Sequence, residues 1–426
     1  MNSVDTQIDL QLQSITKIIL ENISHVRSIL LAGGFGKGEG SIKIVKGRVT
    51  CLKDFDIVVI VNRIPDKKTQ DRVHDQIYAS LGIENPKNKL FPGISFQVDI
   101  LYLRKRDLIY PDIKWCDLKF ASKLLYGENV RSFIPWSEKD VPMSSGLRLL
   151  FEKACGLLGH FSPALLEPVN LSSQRKEALV FECYKTFVES GTALCILARK
   201  YQPKYASRAK SLEQFYSAEF PKLAKVLPDL AERVTEYTSF KLNPDFTRIS
   251  KDPSELWFSA RNCLEAVLRF YLKRYLDVLV SDWKDLPNQM KILARCYYKP
   301  FLDPFIRARL GFSNTAILDI AVFLYALLTN LEYAFVVTRD MGTVYLGPLH
   351  KSWASPSLKF FTSGILILFS LNEDGTIERE CMKKAITELR ECIPVDVSTF
   401  DLYGWNDLRK HFLKANSLYE GYHFVR

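Results

Sequence analysis

The sequence predicts an α+β protein in which a small mixed β-sheet head is followed by a large α-helical body. Three observations carry this expectation. Short β-branched runs alternate with helical patterns through the first part of the chain, and a glycine-rich stretch, Leu31-Ala-Gly-Gly-Phe-Gly-Lys-Gly-Glu-Gly-Ser41, interrupts them. Two prolines around a charged segment, Pro135 and Pro142, then close that part off. Beyond them the hydrophobic spacing becomes helical and stays so. The expected division is 1–138 as the head, 139–285 as a helical domain completing its cleft, and 286–426 as a further helical domain.

The head opens on an amphipathic helix. Ile8, Leu10, Leu12, Ile15, Ile18 and Ile19 recur at near-helical spacing before Asn22, which suits a cover on one face of a sheet. Ile29-Leu30-Leu31 forms a strand running into the glycine stretch. Two strand-like pieces, 41–45 and 48–52, flank Lys46-Gly47, a two-residue hairpin turn with glycine where a positive φ is needed. Ile57-Val58-Val59-Ile60-Val61 is a continuous β-branched run, the pattern of a buried strand. Residues 66–81 read as a helix entered after Pro65, and 85–93 as a polar, proline-bounded loop. The alternation in 96–102 marks another strand, and 118–126 is expected to be a short helix stopped by Gly127.

The body reads as long helices over 145–158, 174–201, 253–280, 315–337, 357–371 and 378–392. Asp252 is placed to cap the third of them, and Pro253 suits its first position. The 315–337 stretch is the strongest candidate for a membrane span, but Asp319, Asn330 and Glu332 interrupt it. Charge at mid-bilayer is costly, so the expectation is a buried helix and no membrane partner.

Composition narrows the function classes. At 426 residues and 47% hydrophobic the chain can bury large cores. Nine cysteines without a Cys-x-x-Cys pair argue against a zinc site or disulfide framework and favour a reducing compartment, and the N-terminus has no basic or apolar leader. The expected location is cytoplasmic. The six histidines are scattered without ligand spacing, and the net charge of +10 favours phosphorylated or polyanionic partners.

The chemistry concentrates around the glycines. Bare N–H groups in such a turn can close around phosphate oxygens, which makes Gly33, Gly34 and Gly36 candidate nucleotide contacts. Asp54 and Asp56 stand at i and i+2, so in a strand they project from one face with Phe55 packed behind. Two adjacent carboxylates repel unless a cation joins them, and a divalent metal is the usual joiner. Asp99 is the only acid of the 96–102 strand; if that strand lies beside the first, three carboxylates converge. Lys37, flanked by glycines and short of packing partners, is expected to touch phosphate. Glu39 either supports the site or caps its turn. In the body, Lys185 emerges between Phe181 and Val188 from an apolar stripe, and is either a phosphate contact or a snorkelling surface lysine. The strip 199–210 interleaves tyrosines with bases, suited either to stacking on a nucleotide or to a solvated loop anchored by its aromatics.

These motifs together resemble the DNA polymerase β-type nucleotidyltransferase superfamily: a strand and Gly-Gly turn, an Asp-x-Asp strand, and a third Asp on a neighbouring strand. Gly33-Gly-Phe-Gly-Lys-Gly-Glu39 is most similar to the glycine run of the bacterial protein uridylyltransferases. The resemblance covers residues 28–103, and it departs from those enzymes in the extra chain between Gly40 and Asp54. It implies transfer of a nucleoside monophosphate from a nucleoside triphosphate, with ATP expected, and release of pyrophosphate. It also implies two magnesium ions, or manganese, held by Asp54, Asp56 and Asp99, with Asp99 helping to take the acceptor's proton. By the same resemblance Lys185 corresponds to a lysine that contacts the triphosphate from the helical domain. The acceptor (small molecule, protein or RNA) and the oligomeric state are not legible. The alternatives are a nucleotide-binding regulator without turnover and an RNA-modifying toxin or defence enzyme.

Overall fold

The computed structural model describes residues 4–45, 48–51, 54–83, 96–109, 111–161, 163–166, 171–246, 252–351 and 353–423. The Lys46-Gly47 turn and the 85–93 loop lie outside them. In chain order the first elements are α1 (Val4–Asn22), β1 (Val26–Leu31), the one-turn α2 (Gly33–Gly36), β2 (Ile42–Val45), β3 (Arg48–Cys51), β4 (Phe55–Val61), α3 (Lys67–Leu81), β5 (Val98–Leu103), α4 (Ile113–Phe120) and β6 (Lys123–Gly127). Helices follow: α5 (Met143–His160), α6 (Ser173–Leu197), α7 (Tyr205–Glu219), α8 (Pro221–Val226), α9 (Leu230–Leu242), α10 (Pro253–Leu276), α11 (Met290–Leu310), α12 (Thr315–Met341), α13 (Pro356–Ser370), α14 (Arg379–Arg390) and α15 (Leu402–His423). The chain is α+β, as its patterning predicts.

It divides into two compact units. The first contains Met1–Pro142, Ala198–Phe215 and Ala231–Ile249; the second contains Met143–Leu197, Tyr216–Leu230 and Ser250–Arg426. The head therefore draws on two later segments that lie far from it in sequence.

In the first unit a four-stranded sheet runs in the order β5-β4-β1-β6. β4 and β5 are parallel and joined through α3, whereas β1 is antiparallel to both of its neighbours, so the sheet is mixed. β2 and β3 form a separate antiparallel hairpin. Side chains alternate between two cores, as the two-residue period of a strand requires. Ile29, Leu31, Phe55, Ile57, Val59, Val98 and Ile100 face α1 and α3, where Leu12, Ile15, Ile19, Val73 and Ile77 meet them. Leu30, Val58 and Ile60 face the other way, onto Leu108, Leu118, Val130 and Ile134. Asp66 starts α3 by accepting the Thr69 amide, and Gly82 ends it at φ +65°.

One expectation fails here. Residues 118–126 are not a helix: α4 stops at Phe120, and Lys123–Gly127 is β6, paired with β1. Two adjacent leucines look helical, but Leu124 packs into one core and Leu125 against the other, which is the strand period.

In the second unit α5, α6, α10, α12, α13 and α14 stand within about four residues of where the spacing places them, whereas α11 and α15 are long helices it does not mark. Asp252 caps α10 by accepting the amides of Ser254 and Glu255. α12 corrects the expectation of a buried helix. Leu318, Val322, Ala326, Tyr333 and Val337 are buried, but the opposite face carries large apolar side chains in the open.

Candidate active site

The site is built where three strand ends meet. Because β1 runs antiparallel to β4, its C-terminal Leu31 pairs with Ile57 at the start of β4; because β5 is parallel to β4, it starts at the same end. The glycine turn, Asp54, Asp56 and Asp99 therefore share one end of the sheet. Asp56 and Asp99 are Cα partners in register, so their side chains leave from the same face of neighbouring strands. Asp54 lies just before the strand and is half-buried, and Asp99 is exposed.

Close backbone approach fixes the glycine turn to Asp56. The Ala32 amide donates to the Asp56 carbonyl at 2.8 Å. Gly33 has φ +59°, and a Cβ there would lie 1.6 Å from Asp56 Oδ2. Only glycine leaves that space for the carboxylate. At Gly36 a Cβ would lie 2.3 Å from the Leu31 carbonyl oxygen, and its amide donates to Ala32. The Lys37 amide returns to Gly33 and the Glu39 amide to Gly34, so the turn closes on itself. The first amides of such a turn, at Gly33 and Gly34, have no acceptor within it.

Aromatic packing holds the turn and the carboxylate strand together. Phe35 meets Phe55 edge-to-face at 4.8 Å, and Phe55 meets Phe96 in the same way at 4.8 Å. Phe55 thus packs behind the two aspartates, as expected, and ties the residues before β5 to the glycine turn. Tyr78 of α3 accepts the Val98 amide at 3.0 Å. Burial first, and then the negative charges of Asp99 and Asp54, raise its pKa above the ordinary phenol value. The phenol stays protonated beside both carboxylates.

Lys37 departs from its expectation. Its Nζ is buried and pairs with Asp117 of α4 at 2.6 Å, and it also lies 4.9 Å from the Tyr205 ring centroid. Its partners come from 80 residues downstream and beyond, which local sequence does not reveal. Glu39 accepts the amides of Tyr205 at 2.8 Å and Ala206 at 3.1 Å, so it caps α7 rather than its own turn. The 199–210 strip is largely solvated but anchored from within: Arg199, Lys200, Gln202, Lys204 and Lys210 are exposed, while Tyr201 is buried and donates to Asp117 at 2.5 Å, and Arg208 is buried 4.2 Å from the Tyr205 centroid. Lys241 of α9 adds a third cation 3.0 Å from that ring. Asp117, Tyr205, Arg208 and Lys241 carry no motif of their own. The interleaving of bases and tyrosines in 199–210 is a signal for Tyr205 and Arg208 alone; nothing local points to Asp117 or Lys241.

Lys185 belongs to the second unit. It is half-buried on α6, close to Glu182, Lys153 and His160. Lys153 and Glu182 form a buried pair at 2.6 Å. Burial opposes the Glu182 charge, but Lys153, Lys185 and His160 outweigh it and bring the carboxyl down to about 2.

Among the described residues no group of three or more His, Cys, Asp or Glu side chains is disposed to hold a metal by itself. Asp54, Asp56 and Asp99 gather at one end without forming such a cage. The donor set nonetheless suits magnesium, a hard cation usually bound by one or two carboxylates together with substrate phosphates and water. No protein-family model and no curated protein matches the chain.

Proposed function

We propose that the first unit is a metal-dependent nucleotidyltransferase acting on a nucleoside triphosphate. The observation that carries this reading is the register of Asp56 and Asp99 on adjacent strands, with Gly33 cleared of any side chain against Asp56 Oδ2. Two like charges at neighbouring strand positions cost stability, and a phosphate-bearing ligand with its cation would offset that cost.

In this reading Asp56 and Asp54 hold magnesium against the triphosphate, and Asp99 serves the acceptor side. The metal supplies charge neutralisation at the phosphates and a more acidic acceptor hydroxyl. The amides of Gly33 and Gly34 face the phosphates. Asp99, exposed at the mouth, accepts the proton of the attacking hydroxyl as its oxygen bonds to the α-phosphorus and pyrophosphate departs. Tyr78, kept protonated, offers an O–H beside Asp99 and Asp54. ATP is the expected donor and the acceptor stays open.

Calorimetric titration with each triphosphate, in magnesium and then in EDTA, tests the binding half. Affinity that survives EDTA unchanged removes the metal from the reading. Asp99→Asn tests the chemical half: it should retain metal-dependent affinity and lose transfer of label from ATP into lysate fractions by at least roughly 100-fold, the scale of a missing general base.

A further inference from the structure

In the second unit, α12 carries an unpartnered face. Ile320, Phe323, Leu324, Leu328, Leu331 and Phe335 are exposed by 60%, 42%, 51%, 60%, 47% and 68%. At 100° per residue they fall within an arc of roughly 140°. No charged residue lies in that arc; Glu332 and Arg339 flank it on one side and Asp319 on the other. With roughly 150–250 Å² for a large apolar side chain, the six leave on the order of 600 Å² in the open. That is at the upper end for a monomer's largest apolar patch. It also approaches the roughly 800 Å² per partner of a standard protein interface.

The surrounding charges decide what covers it. Asp319 is forked to Arg295 at 2.5 and 2.6 Å, Asp303 pairs with Arg307 at 2.9 Å, and Asp340 pairs with Lys414 at 3.6 Å. An anionic bilayer draws a surface through an excess of cations around the apolar face. Three acids near that face each hold a cation and Glu332 borders it directly, so charges of both signs stand around it. An uncharged centre with flanks of both signs is the pattern of a protein interface.

We propose that this face is a homodimer interface, on which a second copy of the chain seats its own α12 about a twofold axis. A twofold contact uses the same patch on both copies, so one apolar helix face supplies both sides and no further partner is required.

Sedimentation velocity of the full chain at micromolar concentrations should give a dimer mass. Leu324→Glu with Leu331→Glu should give a monomer with an unchanged circular-dichroism spectrum, because both side chains are exposed in the single copy. Should that double variant not fold, Phe335→Ala decides: it should raise the dimer dissociation constant by roughly tenfold or more, as truncation of a large aromatic interface anchor does. A monomeric wild type overturns the proposal, whether it stays in solution or floats with phosphatidylserine vesicles, the latter result assigning the face to a membrane surface. A dimer that Phe335→Ala and the folded double variant both leave intact overturns it as well, by placing the interface elsewhere.

Discussion

Two carboxylates in this protein are each given room by a glycine, and they are turned toward opposite kinds of neighbour. In the sheet unit a Gly33 Cβ would lie 1.6 Å from Asp56 Oδ2, and in the helical unit a Gly156 Cβ would lie 2.1 Å from Glu182 Oε1. Glu182 points at Lys153 across 2.6 Å, inside a core. Asp56 stands beside Asp99, a second acid, at the open end of a sheet. A buried opposite-charge pair holds helices in register, whereas like charges placed side by side weaken the fold that carries them. On the proposed function, the difference separates an acid kept for architecture from one kept for a ligand.

Removing the charge of Glu182 should have the largest effect. Glu182→Gln leaves the Lys153 ammonium facing an amide in a buried site, and breaking such a pair costs about 3–5 kcal/mol. Thermal or urea unfolding of the second unit reads it. The pH dependence gives an independent check. The carboxyl falls from 4.5 to about 2 on folding, so its stabilisation is complete above 4.5 and is lost as pH drops from there through about 2. The wild type should lose stability across that window, and Glu182→Gln should lack that part of the loss.

The glycines come next. Gly33→Ala places a methyl on Asp56 and forces φ +59° on an L-residue, which by itself costs about 1–2 kcal/mol. Asp56 must also turn away, so metal-dependent ATP affinity should fall with stability. Retained affinity in a destabilised Gly33→Ala protein would show that Asp56 is not where the nucleotide binds.

How far the sequence reveals this arrangement depends on whether the contacts are local. Asp54, Phe55 and Asp56 are legible because strand alternation alone sets their faces, and it puts Phe55 on the core face, where Phe35 and Phe96 meet it edge-to-face. The position of Asp99 beside Asp56 needs the two apolar strands to pair in one register, which the hydrophobic alternation of both helps to set. Lys37 is not legible in the same way: glycine neighbours suggest a free cation, but Asp117 and Tyr205 reach it from distant segments. Within the first unit Ala198–Phe215 joins through Glu39 and Asp117, and Ala231–Ile249 through Lys241 over the Tyr205 ring, contacts that no periodicity encodes. β6 hides behind two leucines that read equally well as helix. α12 shows a further limit, because an apolar helix of that length reads as buried whether its second face meets its own chain or something else.

The smallest expected effect sharpens the comparison most, because it applies the same chemical change as Glu182→Gln in the other unit. Asp99→Asn replaces a carboxylate by an amide of the same size at a position in register with Asp56. Like charges directly across a strand pair destabilise by about 0.2–1 kcal/mol, and Asp99 is exposed, so solvent screening keeps the effect at the lower end of that range. The expected outcome is a small gain in stability without ligand, shrinking further as salt is raised. The direction is opposite to that of Glu182→Gln, although both substitutions remove one negative charge. Parallel melting curves at low and high ionic strength, in EDTA, measure it. A loss of stability in Asp99→Asn that salt does not change would make Asp99 a structural acid like Glu182, and the register of the two aspartates would then say nothing about a metal or a nucleotide.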